Sequence, residues 1–188
     1  MNFANKISTF RILSVPFFIA SIIYYCHYPE RGYLKLIALV IFILAVISDA
    51  VDGYIARKSK QMSKAGLILD PLGDKLLLMS AFVCLYFLPT GISFPLWVTL
   101  IVISRDAIIL LGVLIIFIVR QNMNIMPTKW GKLTTTFQML AAFTVLVQWR
   151  VAYVLMYLAV AFTIISGIDY IMRGFKVLYA PDSSRNNH

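Results

Sequence analysis

The sequence predicts an all-α integral membrane protein with six transmembrane helices and both termini on the cytoplasmic side. Three observations carry this reading. The 188 residues are 61% hydrophobic and only 13% charged, where a soluble domain carries roughly 25% charged residues. A globular core of this size cannot hide that much apolar surface. The apolar residues also gather into segments near the roughly 20 residues that cross a hydrocarbon core, and the basic residues fall unevenly between those segments. With only two cysteines, Cys26 and Cys84, there is no disulfide framework. The composition likewise excludes a disordered chain and a nucleic-acid-binding domain.

The predicted spans follow in order: 12–26, 33–54, 66–88, 96–119, a shorter one at 134–148, and 151–172. No small-x-small cleavage site follows the first, so it reads as a retained span rather than a signal peptide. Pro89, Gly91 and Pro95 mark a tight turn between the third and fourth. Residues 1–180 form one membrane domain, and the polar tail 181–188 reads as disordered. Lone buried cysteines behave as small hydrophobes, so Cys26 and Cys84 are expected to pack. Trp97, Trp130, Trp149, Tyr24, Tyr25, Tyr28 and Tyr33 stand near span ends, as interfacial anchors do. His27 and His188 fall in a loop and the tail.

The chain carries 17 Lys+Arg against 8 Asp+Glu, a formal +9. Between these spans, one face receives Lys6, Arg11, Arg57, Lys58, Lys60, Lys64, Arg120, Lys129, Lys132, Arg173, Lys176 and Arg185. The other receives Arg31, Lys35 and Arg150. That asymmetry places both ends in the cytoplasm. The basic excess therefore serves topology and attraction to anionic lipid heads, without nucleic acid.

The acids are more informative. Asp49, Asp52, Asp70 and Asp74 crowd the junction of spans two and three. An ionised Asp within a span costs about 2.5–3.5 kcal/mol, so four unpaired would cost on the order of 10 kcal/mol. Asp49, Asp52, Gly53 and Ala56 share one helical face, and Asp70 and Asp74 stand at i and i+4 on the next helix, with Gly66 and Gly73 beside them. The first pair lies roughly 8–12 Å from the end of span two, and the second roughly 6–12 Å into span three. Four carboxylates at equal depth form a hard oxygen site suited to Mg²⁺ or Mn²⁺. The small residues either pack helices closely or open room beside the backbone. Arg57, one residue from this face, can clamp a phosphate that the metal also holds. Lys58 and Lys60 read as a solvated positive-inside loop.

The run Asp49-Ala-Val-Asp52-Gly53-Tyr-Ile-Ala56-Arg57, followed by Gly66, Asp70 and Asp74, resembles the signature of the CDP-alcohol phosphotransferase family at all eight fixed positions. The opening Asn5-Lys-Ile-Ser8-Thr-Phe-Arg11 is similar to that family's Asn-x-x-Thr-x-x-Arg start, with Ser8 in place of Thr. Residues 127–138, with Gly131, Lys132, Thr135 and Gln138, resemble its phosphatidylglycerophosphate synthase branch.

The resemblance implies a six-span homodimeric enzyme of the cytoplasmic membrane. It would transfer the phosphatidyl group of CDP-diacylglycerol to an alcohol and release CMP, with the active site facing the cytoplasm. Asp49, Asp52, Asp70 and Asp74 would hold two Mg²⁺ or Mn²⁺ ions, and Asp74 would also be the catalytic base. Asn5, Ser8, Gly53, Ala56, Arg57, Ser63 and Gly66 would line the CDP site. The chemistry agrees, since a pyrophosphate leaving as CMP needs charge neutralisation and a hydroxyl nucleophile needs a base.

Arg105-Asp106 is a second charged pair within a span. It reads either as an ion pair locking helices or as an anion site in which Arg105, with Lys132, binds glycerol 3-phosphate. Arg105 lies 15 residues before Arg120, about 22 Å along the helix, which sets it deeper than the aspartates. Phosphatidylglycerophosphate synthases commonly show Arg-Glu here with a second arginine eight residues on. This chain has Asp106 and Val113, closer to the cardiolipin synthases of the same family, whose acceptor is phosphatidylglycerol. Glycerol 3-phosphate is the favoured acceptor and phosphatidylglycerol the alternative. A small transporter or cation channel is the rival of a different class; it would account for intramembrane acids but not for their spacing or the adjacent arginine. Asp169 has no assigned partner.

Overall fold

A computed structural model describes residues 3–59, 66–89, 91–120 and 129–179, with side chains described for 11–48, 75–89, 91–112 and 129–173. Every regular element among them is helical: α1 (Phe3–His27), α2 (Gly32–Ser59), α3 (Gly66–Tyr86), α4 (Leu96–Arg120), α5 (Lys129–Val147) and α6 (Ala152–Tyr179). The six helices coincide with the six predicted apolar segments. Four of them run past the apolar stretch at the end carrying the basic residues. α1 starts nine residues before Ile12, α2 ends five after Tyr54, α5 starts five before Thr134, and α6 ends seven after Met172. His27 is thus the last residue of α1 rather than part of a loop.

The connections at the opposite end are short and stitched by hydrogen bonds. Arg31 N–H donates to Tyr28 O (3.0 Å) between α1 and α2, and Phe94 N–H to Leu85 O (3.3 Å) between α3 and α4. The end of α5 is a Schellman turn: Trp149 N–H reaches Thr144 O (2.9 Å) and Gln148 N–H reaches Val145 O (3.1 Å), with Gln148 itself at φ 63.

α1 packs on α2 and α3, α3 on α4 and α5, and α6 on α4 and α5. The seam between them holds Phe18, Ile22, Ala38, Phe42, Ala45, Leu78, Ala81, Phe82, Leu85, Val98, Val102, Ala142 and Ala159. Its polar members include Arg11, Arg105, Asp106, Thr134, Gln138, Thr163 and Ser166, all buried. The outward faces are apolar instead: Leu13, Phe17, Leu36, Leu44, Leu100, Leu111, Val154, Ile164 and Ile168 are exposed. Outer faces as apolar as the mostly apolar interior, with a few buried polar groups between the helices, suit a hydrocarbon solvent rather than water. Among the described residues, Ala152–Arg173 is by itself long and apolar enough to cross a membrane, at mean hydropathy 1.9.

Some of the expected anchors have other surroundings. Trp97, Trp130 and Trp149 are exposed near helix ends, but Tyr25 is buried, its ring 5.9 Å from the Lys35 ammonium. Cys84 is buried; Cys26 is half-buried, and its thiol donates to Phe87 O at 3.4 Å. Asp169 accepts from Arg173 Nε at 2.9 Å, one turn away on α6. Ser63, Lys60, Lys64, Pro127 and the tail 181–188 lie outside the described residues.

Candidate active site at one depth of the bundle

Cross-helix contacts fix the register of every helix pair that matters to the site. The Phe18 and Phe42 rings lie 6.1 Å apart, and Lys35 lies over Tyr25. In both pairs the residue numbers add to 60, as an antiparallel α1/α2 pair in one register requires. Position 49 therefore stands opposite Arg11, 52 opposite Ser8 and 55 opposite Asn5. The Cys26–Phe87 bond, separated by 61 residues, fixes the parallel α1/α3 pair. It sets Arg11 level with position 72, Ser8 with 69 and Asn5 with 66. The backbone positions of Asp49, Asp52, Asp70 and Asp74 thus share a stratum with Asn5, Ser8, Gly53 and Gly66.

α4 joins this stratum through a charged cluster. Lys75 Nζ lies 2.6 Å from Asp106 Oδ1, and Thr99 Oγ1 donates to Phe82 O at 3.4 Å. Both pairs add to 181, so α3 and α4 are antiparallel and Asp106 stands level with Lys75, the neighbour of Asp74. The depth difference posed by Arg105 shrinks as a result, although Arg105 still stands level with position 76, slightly deeper than the aspartates. Asp106 is fourteen residues from the end of α4, about 21 Å, whereas Lys75 is nine residues from the start of α3, about 14 Å. α4 overshoots α3 by about one and a half turns at the basic end.

Arg105 Nη1 donates to the same Asp106 oxygen at 2.7 Å, and Arg105 Nη2 donates to Ser166 Oγ of α6. Arg105 and Ile109 each meet α6 residues 61 positions on, Ser166 and Tyr170, so α4 and α6 run parallel. Tyr170 packs so closely on Gly112 that a methyl group there would lie 2.8 Å from its hydroxyl. α5 returns antiparallel to α6. Thr134 Oγ1 donates to Phe162 O (2.9 Å), Gln138 Nε2 donates to Thr163 Oγ1 (2.9 Å), and the Phe137 and Phe162 rings stack at 4.7 Å. The last pair sets Lys132, exposed on the first turns of α5, opposite position 167. Lys132 is therefore level with Arg105.

The cluster resolves Arg105 as a buried cation held from two sides. Its Nε and Asp106 Oδ2 make no hydrogen bond. Lys75, Arg105 and Asp106 together leave one excess positive charge in a buried site, an arrangement that favours an anion nearby. Sequence reasoning missed Lys75, although a lysine inside an apolar span is itself a signal of a buried partner. It also missed Ser166 and the burial of Arg11, which is 2% exposed rather than spread on the solvated basic face. The side chains of Asn5, Ser8, Asp49, Asp52, Gly53, Ala56, Arg57, Gly66, Asp70 and Asp74 are not among those described; their helical positions are. As a donor set, four carboxylates at one depth fit a hard divalent cation.

Comparison with known proteins identifies the family. A model of the CDP-alcohol phosphatidyltransferase family matches residues 1–165. The "CDP-diacylglycerol--glycerol-3-phosphate 3-phosphatidyltransferase" of Haemophilus influenzae is 33% identical over 88% of this chain and 89% of its own length. The Bacillus subtilis protein of that name is 30% identical, covering 94% and 97% respectively. That of Aquifex aeolicus is 28% identical over 95% of this chain and 99% of its own. The match runs from the first residue through the first half of α6 and is reproduced by relatives covered over most of their length: the chain belongs to the CDP-alcohol phosphatidyltransferase family.

Proposed function

We propose that this protein transfers the phosphatidyl group of CDP-diacylglycerol to glycerol 3-phosphate and releases CMP. What supports this reading is a helix register that brings the four aspartate positions, Arg105 and Lys132 within about two turns of one another in a chain of this family. Relatives named for the glycerol 3-phosphate reaction support the acceptor.

Residues 1–180 act as one domain with six membrane crossings, both termini in the cytoplasm, and the site opens to that side of the cytoplasmic membrane. The apolar outer faces and the one-sided basic residues support this topology. Two such domains pair as a homodimer, as the family resemblance implies. Asn5, Ser8, Gly53, Ala56, Arg57, Ser63 and Gly66 bind the CDP part, with Arg57 on a phosphate. Asp49, Asp52, Asp70 and Asp74 hold two Mg²⁺ or Mn²⁺ ions, which when bound neutralise the pyrophosphate charge. Asp74 takes the proton of the acceptor hydroxyl as that oxygen attacks the phosphorus bearing diacylglycerol. Arg105 and Lys132 hold the acceptor's phosphate. The acyl chains stay in the bilayer while the polar acceptor enters from water.

Asp106 and Val113 favour one other acceptor, phosphatidylglycerol, so the test separates the two. Purified protein in detergent is given CDP-diacylglycerol with Mg²⁺ or Mn²⁺, and CMP release is followed with each acceptor alone. Metal-dependent release with glycerol 3-phosphate is expected. Release only with phosphatidylglycerol overturns the acceptor assignment, and no release with either overturns the reading.

A further inference from the structure

Among the described residues, Arg11 is the largest fully buried side chain, at 2% exposure, and the reaction scheme above gives it no task. A guanidinium stays charged at any physiological pH. Buried in the bundle, it needs an anion beside it, because an uncompensated charge there costs several kcal/mol. The acids available to it are few. Asp106 is shared by Lys75 and Arg105, Asp169 is bound by Arg173, and Glu30 lies in the connection at the far end of α1.

The α1/α2 seam points to one of the remaining acids. On α1, Arg11 stands two turns before Phe18, on the buried line Arg11, Ser14, Phe18, Ile22 and Tyr25. On α2, position 49 stands two turns after Phe42, continuing the buried line Ala38, Phe42 and Ala45. Phe18 and Phe42 meet face to tilted face. Moving two turns along each helix of this antiparallel pair brings Arg11 to Asp49.

We propose that Arg11 is the resident countercharge of Asp49 and a positioning residue for the carboxylate cluster. The pair keeps Asp49 oriented and partly neutralised while the site is empty, and so lets four like charges share one depth in the membrane. This rests on the metal-site reading only for its functional consequence. The pair itself is a statement about two residues of the chain.

The test is a double-mutant cycle on stability, read by thermal melting of the full-length protein in detergent with chelator present. Arg11→Gln removes the cation and leaves Asp49 with its like-charged neighbours. The combined Arg11→Gln and Asp49→Asn removes both charges. Losing one partner of a buried pair is more costly than losing both, so the double variant is expected to melt higher than Arg11→Gln alone. Should Arg11→Gln give no folded protein, recovery of folded material in the double variant supports the pair and its failure overturns it. Effects that simply add also overturn it.

Arg11→Lys tests the positioning role, because it keeps the charge but not the planar fork. It is expected to raise the Mn²⁺ concentration for half-maximal CMP release three- to tenfold and leave the KM for glycerol 3-phosphate unchanged. A uniform fall in kcat with an unchanged metal requirement overturns the positioning role. If the wild-type protein needs no divalent ion, the metal reading falls instead, and the melting cycle still judges the pair.

Discussion

Removing Asp106 should destabilise the protein far more than removing Lys75, although the two residues share one bond. Asp106 is fully buried and its Oδ1 accepts from Lys75 at 2.6 Å and from Arg105 at 2.7 Å. Asp106→Asn converts a cluster of net charge +1 into two buried cations facing one neutral amide. Breaking a buried pair in this way costs about 3–5 kcal/mol. At roughly 2–4 °C per kcal/mol for a chain of this length, melting should fall by roughly 6–20 °C. Lys75→Met leaves the neutral Arg105–Asp106 pair and its bond to Ser166 intact. It forfeits one charge-assisted bond but also the burial of an ammonium that is 17% exposed, so its cost should stay within about 1.5 kcal/mol. Both variants, purified in the same detergent, would be compared by thermal unfolding. Equal losses, or a greater loss for Lys75→Met, would refute the claim that Asp106 anchors the cluster.

The other predictions concern the two ends of the bundle and the site. Gly91 has φ +79, and a Cβ there would collide with the Gln148 amide, so Gly91→Ala should cost about 1–3 kcal/mol and lower the melting point. Gln148→Gly should also destabilise, despite relieving φ 63. Its side chain accepts from Ile92 N–H (2.6 Å) and donates to Ile92 O (2.9 Å), and losing these outweighs the relief; a rise in melting temperature would contradict this. Arg105→Ala should raise the KM for glycerol 3-phosphate at least tenfold while leaving the KM for CDP-diacylglycerol within twofold, as steady-state CMP release would reveal. Chelation should abolish turnover, and added Mn²⁺ or Mg²⁺ should restore it, in keeping with four carboxylates as the donor set.

What the sequence made legible was whatever is periodic or local. Apolar runs located all six helices because each helix carries a long apolar stretch, and the end-to-end agreement at α4 reflects Pro95 before its start. The aspartate positions were legible because their spacing is carried by single helices. Depth across helices was not, since nothing local records how far two antiparallel helices slide past each other. Counting from Arg120 set Arg105 too deep because the count assumed that α4 ends level with α3.

The charged cluster shows the same limit. Lys75 adjoins Asp74 in the chain, but adjacent residues on a helix diverge by about 100°, so the two belong to different faces. Lys75 turns to α4, where Asp106 waits at its own level. Asp74 sits on the line of Leu78, Ala81 and Leu85, which is buried. One bond between Lys75 and Asp106 therefore sets both the rotation of α3 and its height against α4. Arg105, bonded to both Asp106 and Ser166, carries the same level to α6. The cations proposed for the acceptor and the carboxylates proposed for the metal are thus held to a common level by a contact that belongs to neither group. That is why the Asp106→Asn variant should disturb both the acceptor KM and the metal requirement, whereas Arg105→Ala should disturb the acceptor KM alone.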